Sequence, residues 1–203
     1  VAGEAQMELI EDLNILQRKA LSVGLLCASL LLCIPFFFFF SWLSRLTIGI
    51  SNIFFNYWWE PFFAPFALAL LLVIHEGIHG FYFKLFKPEN PLKYGTDWRL
   101  GLFNATSPGS RYPRSQMLII YLAPFVLTSL LLTLLLALGT LSPLAYLFLA
   151  VIHTAMCVGD FYFSYLLLWK YRSIRFWLRI QKLVLKFLVL NKPSGICTLL
   201  VLS

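Results

Sequence analysis

Four predominantly apolar runs, residues 20–43, 62–86, 117–138 and 144–169, fix what this chain can become. A helix needs about 20 apolar residues to cross a bilayer, and each run meets that length. Hydrocarbon offers no water to backbone N–H and C=O groups, so a crossing segment must bond them internally, as a helix does. Of the 203 residues, 60% are hydrophobic and 12% charged, about half the charged share of a globular domain. The fold expected is an all-α polytopic membrane protein with about four transmembrane helices. The first run exceeds a signal-peptide core, and no small-residue cleavage pattern follows Phe36–Phe40, so a retained helix is expected there.

Charge distribution orients the spans. Fifteen of the sixteen Lys and Arg residues fall in the N-terminal segment, the loop of residues 87–114 with its flank, or the tail after the fourth run; Arg45 alone falls on the opposite side. The positive-inside rule then places both termini and the 87–114 loop in the cytoplasm, with a bacterial plasma membrane as the expected location. A net charge of +7 could also suggest nucleic acid. Here the basic residues adjoin spans, where anionic headgroups attract them, so the lipid bilayer is the expected partner and nucleic acid is not.

Residues 1–19 form an amphipathic N-terminal segment, expected as a short opening helix, and 20–43 the first span. Residues 62–170 form a three-helix membrane core, and 171–203 a basic tail expected as an interfacial amphipathic helix. Phe36–Phe40 reads as lipid-facing bulk. Tyr57, Trp58 and Trp59 read as an interfacial anchor. The alternation around Trp98–Phe103 suggests a short β-hairpin in the cytoplasmic loop, whose edge could pair with an extended substrate segment. Ala123-Pro124 predicts a kink in the third span. The link around residues 140–143 is short enough to make the third and fourth spans an antiparallel hairpin.

Inside the second run lies His75-Glu76-Gly77-Ile78-His79. On a helix this spacing puts two imidazoles on one face, one turn apart, with a glutamate able to reach a metal-activated water. With three histidines in the chain, the pattern arises by chance roughly once in a thousand chains of this composition. Ionisable side chains in apolar sequence are also costly to insert unless paired or bound. His75 and His79 are thus expected zinc ligands. Glu76, about 100° round the helix from His75, is expected to act as general base for amide hydrolysis. Gly77 and Gly80 would let a substrate backbone or another helix come close.

A catalytic zinc takes three protein ligands and one open position. Asp160 lies about 13 Å before the inner end of the fourth run, and the histidines about 10–17 Å before the inner end of the second, so the carboxylate falls at their depth. His153 is the rival ligand. It sits two turns from Asp160, about 10 Å along a regular helix, too far for both to bind one ion. Asp160 is favoured because Gly159 would admit a neighbouring helix. His153 then becomes a group behind a ligand or one that orients substrate. Cys27, Cys33, Cys157 and Cys197 show no paired spacing, and Cys157 reads as packing.

The HEGIH motif, the loop after it, two further spans and the late Gly159-Asp160 together resemble the bacterial membrane family of zincin peptidases. That family is similar in design to the site-2 intramembrane metalloproteases. The resemblance covers roughly residues 62–170. It implies a site-2-protease-like core, zinc held by His75, His79 and Asp160, Glu76 as base, and a membrane-associated protein or peptide as substrate. The chain departs from site-2 proteases in carrying His153 and Gly159-Asp160 where they carry an asparagine-bearing stretch and Leu-Asp-Gly, and it has no room for a PDZ-like filter. The competing functions are a non-proteolytic metal-binding membrane protein (a sensor, chaperone or inactive scaffold) and a transporter using the intramembrane His and Asp residues.

Overall fold

The computed structural model describes residues 7–14, 19–49, 58–97, 102–108, 110–170, 176–181 and 184–190. Strand β1 (Met7–Asn14) precedes helices α1 (Lys19–Ile48) and α2 (Glu60–Phe86). Strands β2 (Lys93–Asp97), β3 (Leu102–Thr106) and β4 (Arg111–Pro113) lead into helix α3 (Arg114–Ala137). Helices α4 (Pro143–Met156) and α5 (Val158–Tyr165) run into a π-helical turn, Leu166–Lys170, and strands β5 (Phe176–Gln181) and β6 (Val184–Leu190) follow.

Three helices, α1, α2 and α3, are long and apolar enough to cross a membrane, and a fourth span exists if the bent α4–α5 pair is counted as one. The surface supports this reading. Val23, Leu26, Leu30, Leu31, Phe38 and Leu46 on α1 are all more than half exposed, a continuous apolar face that water would not tolerate and lipid would. The Phe36–Phe40 run divides between two surroundings. Phe37, Phe38 and Phe39 are exposed, as lipid-facing bulk should be. Phe40 is fully buried, edge-on to Tyr146 at 5.9 Å, and Phe36 stacks on Phe161 at 6.2 Å. An α-helix turns 100° per residue, so a five-residue run cannot face lipid throughout.

Two buried clusters hold the bundle together. Phe40, Leu71, Leu132, Leu136, Tyr146 and Leu149 join α1 to α4. Phe83, Tyr112, Met117, Ile120, Leu166 and Leu167 close the opposite end, around the loop strands and the π-turn. At the α3–α4 link, Gly139 takes a left-handed φ of 71°, and Ser142 caps α4 by accepting the Ala145 N–H at 3.2 Å. Buried Glu60, at the start of α2, receives the Ser142 hydroxyl at 2.6 Å and the Ser142 N–H at 3.3 Å. This pins α2 to the head of α4.

Three expectations need correction. The fourth span is not one regular helix: it breaks at Cys157 and bends by 46°. The Cys157 N–H is shared between the His153 and Thr154 carbonyls, and the Thr154 hydroxyl back-bonds to the Ala150 carbonyl at 2.8 Å, a contact that bends helices. The N-terminal segment is a strand over its described part, not a helix. The described parts of the tail are strands too. Their content of Val, Phe, Trp and Ile suits a pleated sheet, and β1, β6, β5 and β4 pair in that order, all antiparallel. One cross-strand row runs through Asp12, Lys186, Arg179 and Arg111. The loop hairpin is present, with β2 on β3 in the register Tyr94 to Ala105. Residues 98–101, part of the alternation that suggested it, lie outside the described residues, as do 50–57 with Tyr57.

Candidate metal centre

The HEGIH motif occupies the middle of α2, where an unbroken helix gives the two histidines one face. His75 is 5% exposed, Glu76 8% and His79 7%. The His75 and His79 Nε2 atoms lie 3.1 Å apart. Asp160, on the first turn of α5, brings Oδ2 to 3.2 Å from His75 Nε2 and Oδ1 to 3.5 Å from His79 Nε2. The bend at Cys157 lies between this carboxylate and α4, so Asp160 and His153 are not spaced as on a straight helix. The structure thus brings together the three residues singled out as ligands, on α2 and α5.

Does this set fit zinc? A tetrahedral ion bound at about 2.0–2.1 Å holds its donor atoms about 3.3 Å apart; the two Nε2 atoms are 3.1 Å apart, and each has one Asp160 oxygen nearby, Oδ2 at 3.2 Å from His75 and Oδ1 at 3.5 Å from His79. Asp160 Oδ2 is buried and, although close to His75, has no partner in hydrogen-bonding geometry. One carboxylate and two ring nitrogens, all able to bind a metal, converge there. Two carboxylates, Asp160 and Glu76, also sit beside two imidazoles within apolar helices, and a divalent cation offsets that charge. The donors are of the kind zinc takes, and the set fits.

Each imidazole is held from behind. His79 Nδ1 lies 2.9 Å from the Ile120 carbonyl. A carbonyl only accepts, so Nδ1 carries the proton and Nε2 keeps its lone pair for a metal. The Ile120 carbonyl is available because residue 124, whose N–H would bond it in a regular helix, is a proline. His75 Nδ1 lies 3.3 Å from His153 Nε2. His153 is fully buried on the far side of the His75 ring, and Cys157 Sγ lies 3.8 Å from His75 Nδ1.

Glu76 meets the hairpin. The Ala105 N–H of β3 donates to Glu76 Oε2 at 2.6 Å, so this backbone donor is directed at the carboxylate. Gly80, one turn beyond Glu76, makes the approach possible: a Cβ there would collide with the Tyr94 hydroxyl and press on Leu92. The close neighbour of Gly80 is therefore the hairpin and not another helix. Gly77 and Gly159 meet nothing within 4 Å, so Gly159 does not serve the helix contact expected of it.

Sequence reasoning missed three members of this arrangement. The Ile120 carbonyl and the Ala105 N–H are backbone groups with no residue signature, although Pro124 marks the first of them indirectly. Cys157 had a signal that was passed over, since it stands four residues after His153, the same interval that separates His75 from His79.

The profile of a family described as "Putative zincin peptidase" matches residues 68–174, which run from α2 through the π-turn. That is more than half of the chain, and the chain belongs to this family. No curated protein and no solved structure matches it.

Proposed function

We propose that this member of the zincin peptidase family is a membrane-embedded zinc metallopeptidase that hydrolyses peptide bonds of membrane-associated substrates. The observation that carries the reading is the meeting of His75 Nε2, His79 Nε2 and the Asp160 carboxylate at 3.1–3.5 Å, with Glu76 next in sequence. Zinc held by these three supplies a lowered pKa for a coordinated water and polarises a substrate carbonyl.

The remaining work falls to the chain. Glu76 takes a proton from the attacking water and returns it to the departing amine nitrogen. The Ala105 N–H fixes one carboxylate oxygen, Oε2, and leaves Oε1 for the water. His79 is oriented by the Ile120 carbonyl, and His75 donates Nδ1–H to His153 Nε2, so His153 acts as a positioning residue. The apolar walls of α2, α3 and α5 exclude bulk water, which strengthens each of these polar contacts. Gly77, with open space above it, gives an extended backbone room beside the motif. By the positive-inside rule the basic loop and tail favour a cytoplasmic position for these segments, and the membrane proposed is a bacterial plasma membrane.

The test reconstitutes the purified protein in liposomes with a library of single-span peptides and searches for cleavage products by mass spectrometry. Zinc-dependent cleavage that disappears in Glu76→Gln, while that variant keeps about one zinc per chain as the three-ligand set requires, is the expected result. Metal retention with no cleavage of any peptide by the wild type, and no cellular difference between wild type and Glu76→Gln, would favour a metal-binding scaffold.

A further inference from the structure

His75 has two ring nitrogens, and the structure surrounds both with metal-binding atoms. Nε2 faces His79 and Asp160. Nδ1 faces His153 Nε2 at 3.3 Å and Cys157 Sγ at 3.8 Å, and Cys157 Sγ lies 3.8 Å from His153 Nε2. All three residues are buried, with His153 and Cys157 fully so. A tetrahedral ion bound by nitrogen at about 2.0–2.1 Å and by thiolate at about 2.3 Å sets N–N edges near 3.3 Å and N–S edges near 3.5 Å. The observed triangle is within a few tenths of an ångström of that shape.

Two further observations separate this cluster from ordinary packing. Nitrogen and sulfur of His75 and Cys157 are the hydrogen-bonding neighbours the structure gives His153. A fully buried imidazole normally gives its proton to a carbonyl or carboxylate, and among the described residues neither hydrogen-bonds to the His153 ring. His153 and Cys157 are also spaced as a chelate, four residues apart, with His153 on the last turn of α4 and Cys157 as its C-cap, the interval His75 and His79 have on α2.

We propose that His75 Nδ1, His153 Nε2 and the Cys157 thiolate form a second metal site, selective for thiophilic ions such as Cd²⁺ or Cu⁺. A neutral imidazole has one lone pair, so His75 serves one site at a time. With its proton on Nδ1 it belongs to the His79–Asp160 set, and with its proton on Nε2 to the sulfur set. Binding at the sulfur site releases the Cys157 proton to solvent. Thiolate ligation favours soft ions, whereas the carboxylate of the first set favours zinc over them. The site thus gives a thiophilic metal a route to disable the zinc centre by capturing a shared ligand. This step alone rests on the proposed zinc reading; the site itself does not.

The experiment titrates Cd²⁺ into chelator-treated, detergent-purified full chain in which Cys27, Cys33 and Cys197 are serine, and follows the ultraviolet thiolate-to-cadmium absorption. The expected result is one equivalent of thiolate-bound cadmium, persisting in the His79→Ala/Asp160→Ala double variant and absent from Cys157→Ser. His153→Ala should weaken cadmium binding by more than about tenfold, because losing a group that merely hydrogen-bonds a ligand already costs about 10–100-fold. The helical circular dichroism of each variant verifies its fold. No thiolate absorption with Cys157 present, or absorption lost when only His79 and Asp160 are removed, would overturn the proposal. Loss of zinc binding in Asp160→Ala tests the zinc centre separately.

Discussion

Replacing Pro124 with alanine returns an N–H to the middle of α3, at the position that bonds the Ile120 carbonyl in a regular helix. That carbonyl now accepts the His79 Nδ1–H at 2.9 Å. A carbonyl has two lone pairs, so the restored helix bond competes with His79 without evicting it. Loss of a hydrogen bond behind a metal-bound histidine lowers metal affinity about 10–100-fold. Competition belongs at the lower end, about tenfold, or roughly 1.4 kcal/mol. Alanine is intrinsically favoured over proline in a helix interior by about 3 kcal/mol. The packed span already accommodates its proline, so only part of that gain will appear. The two effects have opposite signs: zinc affinity falls while thermal stability rises. Zinc affinity is measured by competition against a chelator in detergent, and stability by thermal denaturation of the zinc-free protein. A Pro124→Ala protein that is more stable and binds zinc as tightly as wild type would refute the link between the proline and His79.

The remaining predictions address other contacts. Glu76→Gln should keep its zinc and lose about 10²–10⁴-fold in hydrolysis, the usual contribution of a positioned general base; kcat measured beside metal content decides it. Gly80→Ala should push Tyr94 away, costing about 1–3 kcal/mol of stability. It should lower kcat with zinc retained, because the hairpin carries the Ala105 N–H away from Glu76; pairing it with Tyr94→Ala should restore part of the activity. Glu60→Ala leaves the Ser142 N–H without its carboxylate and should cost about 1–3 kcal/mol of thermal stability, with zinc content unchanged.

Much of the membrane core was legible because bilayer spanning and HExxH are both local patterns. Apolar length fixed α1, α2 and α3 to within a few residues, except that α1 continues to Ile48. The pairing of Asp160 with the histidines could be reached by counting depth along two spans. That count runs from Asp160 to the inner end of the span, beyond the bend at Cys157; a straight helix was assumed only in setting His153 about 10 Å from Asp160. That bend depends on the Thr154 back-bond and a shared Cys157 N–H, which no periodicity reports. The segments outside the spans were read less well. The tail carries both an amphipathic helical pattern and strand-forming residues, residues 7–14 hold only Ile10 of the strand-forming kind, and their sheet joins opposite ends of the chain. Such long-range pairing can override a local preference.

The most direct measurement is X-ray absorption at the zinc edge on detergent-purified, wild-type protein carrying one zinc. The account requires a first shell of nitrogen and oxygen only, at about 2.0–2.2 Å, with multiple scattering from two imidazoles, those of His75 and His79. A sulfur scatterer at about 2.3 Å, or a third imidazole, would show that zinc resides with Cys157 or His153 and would contradict the centre built on Asp160.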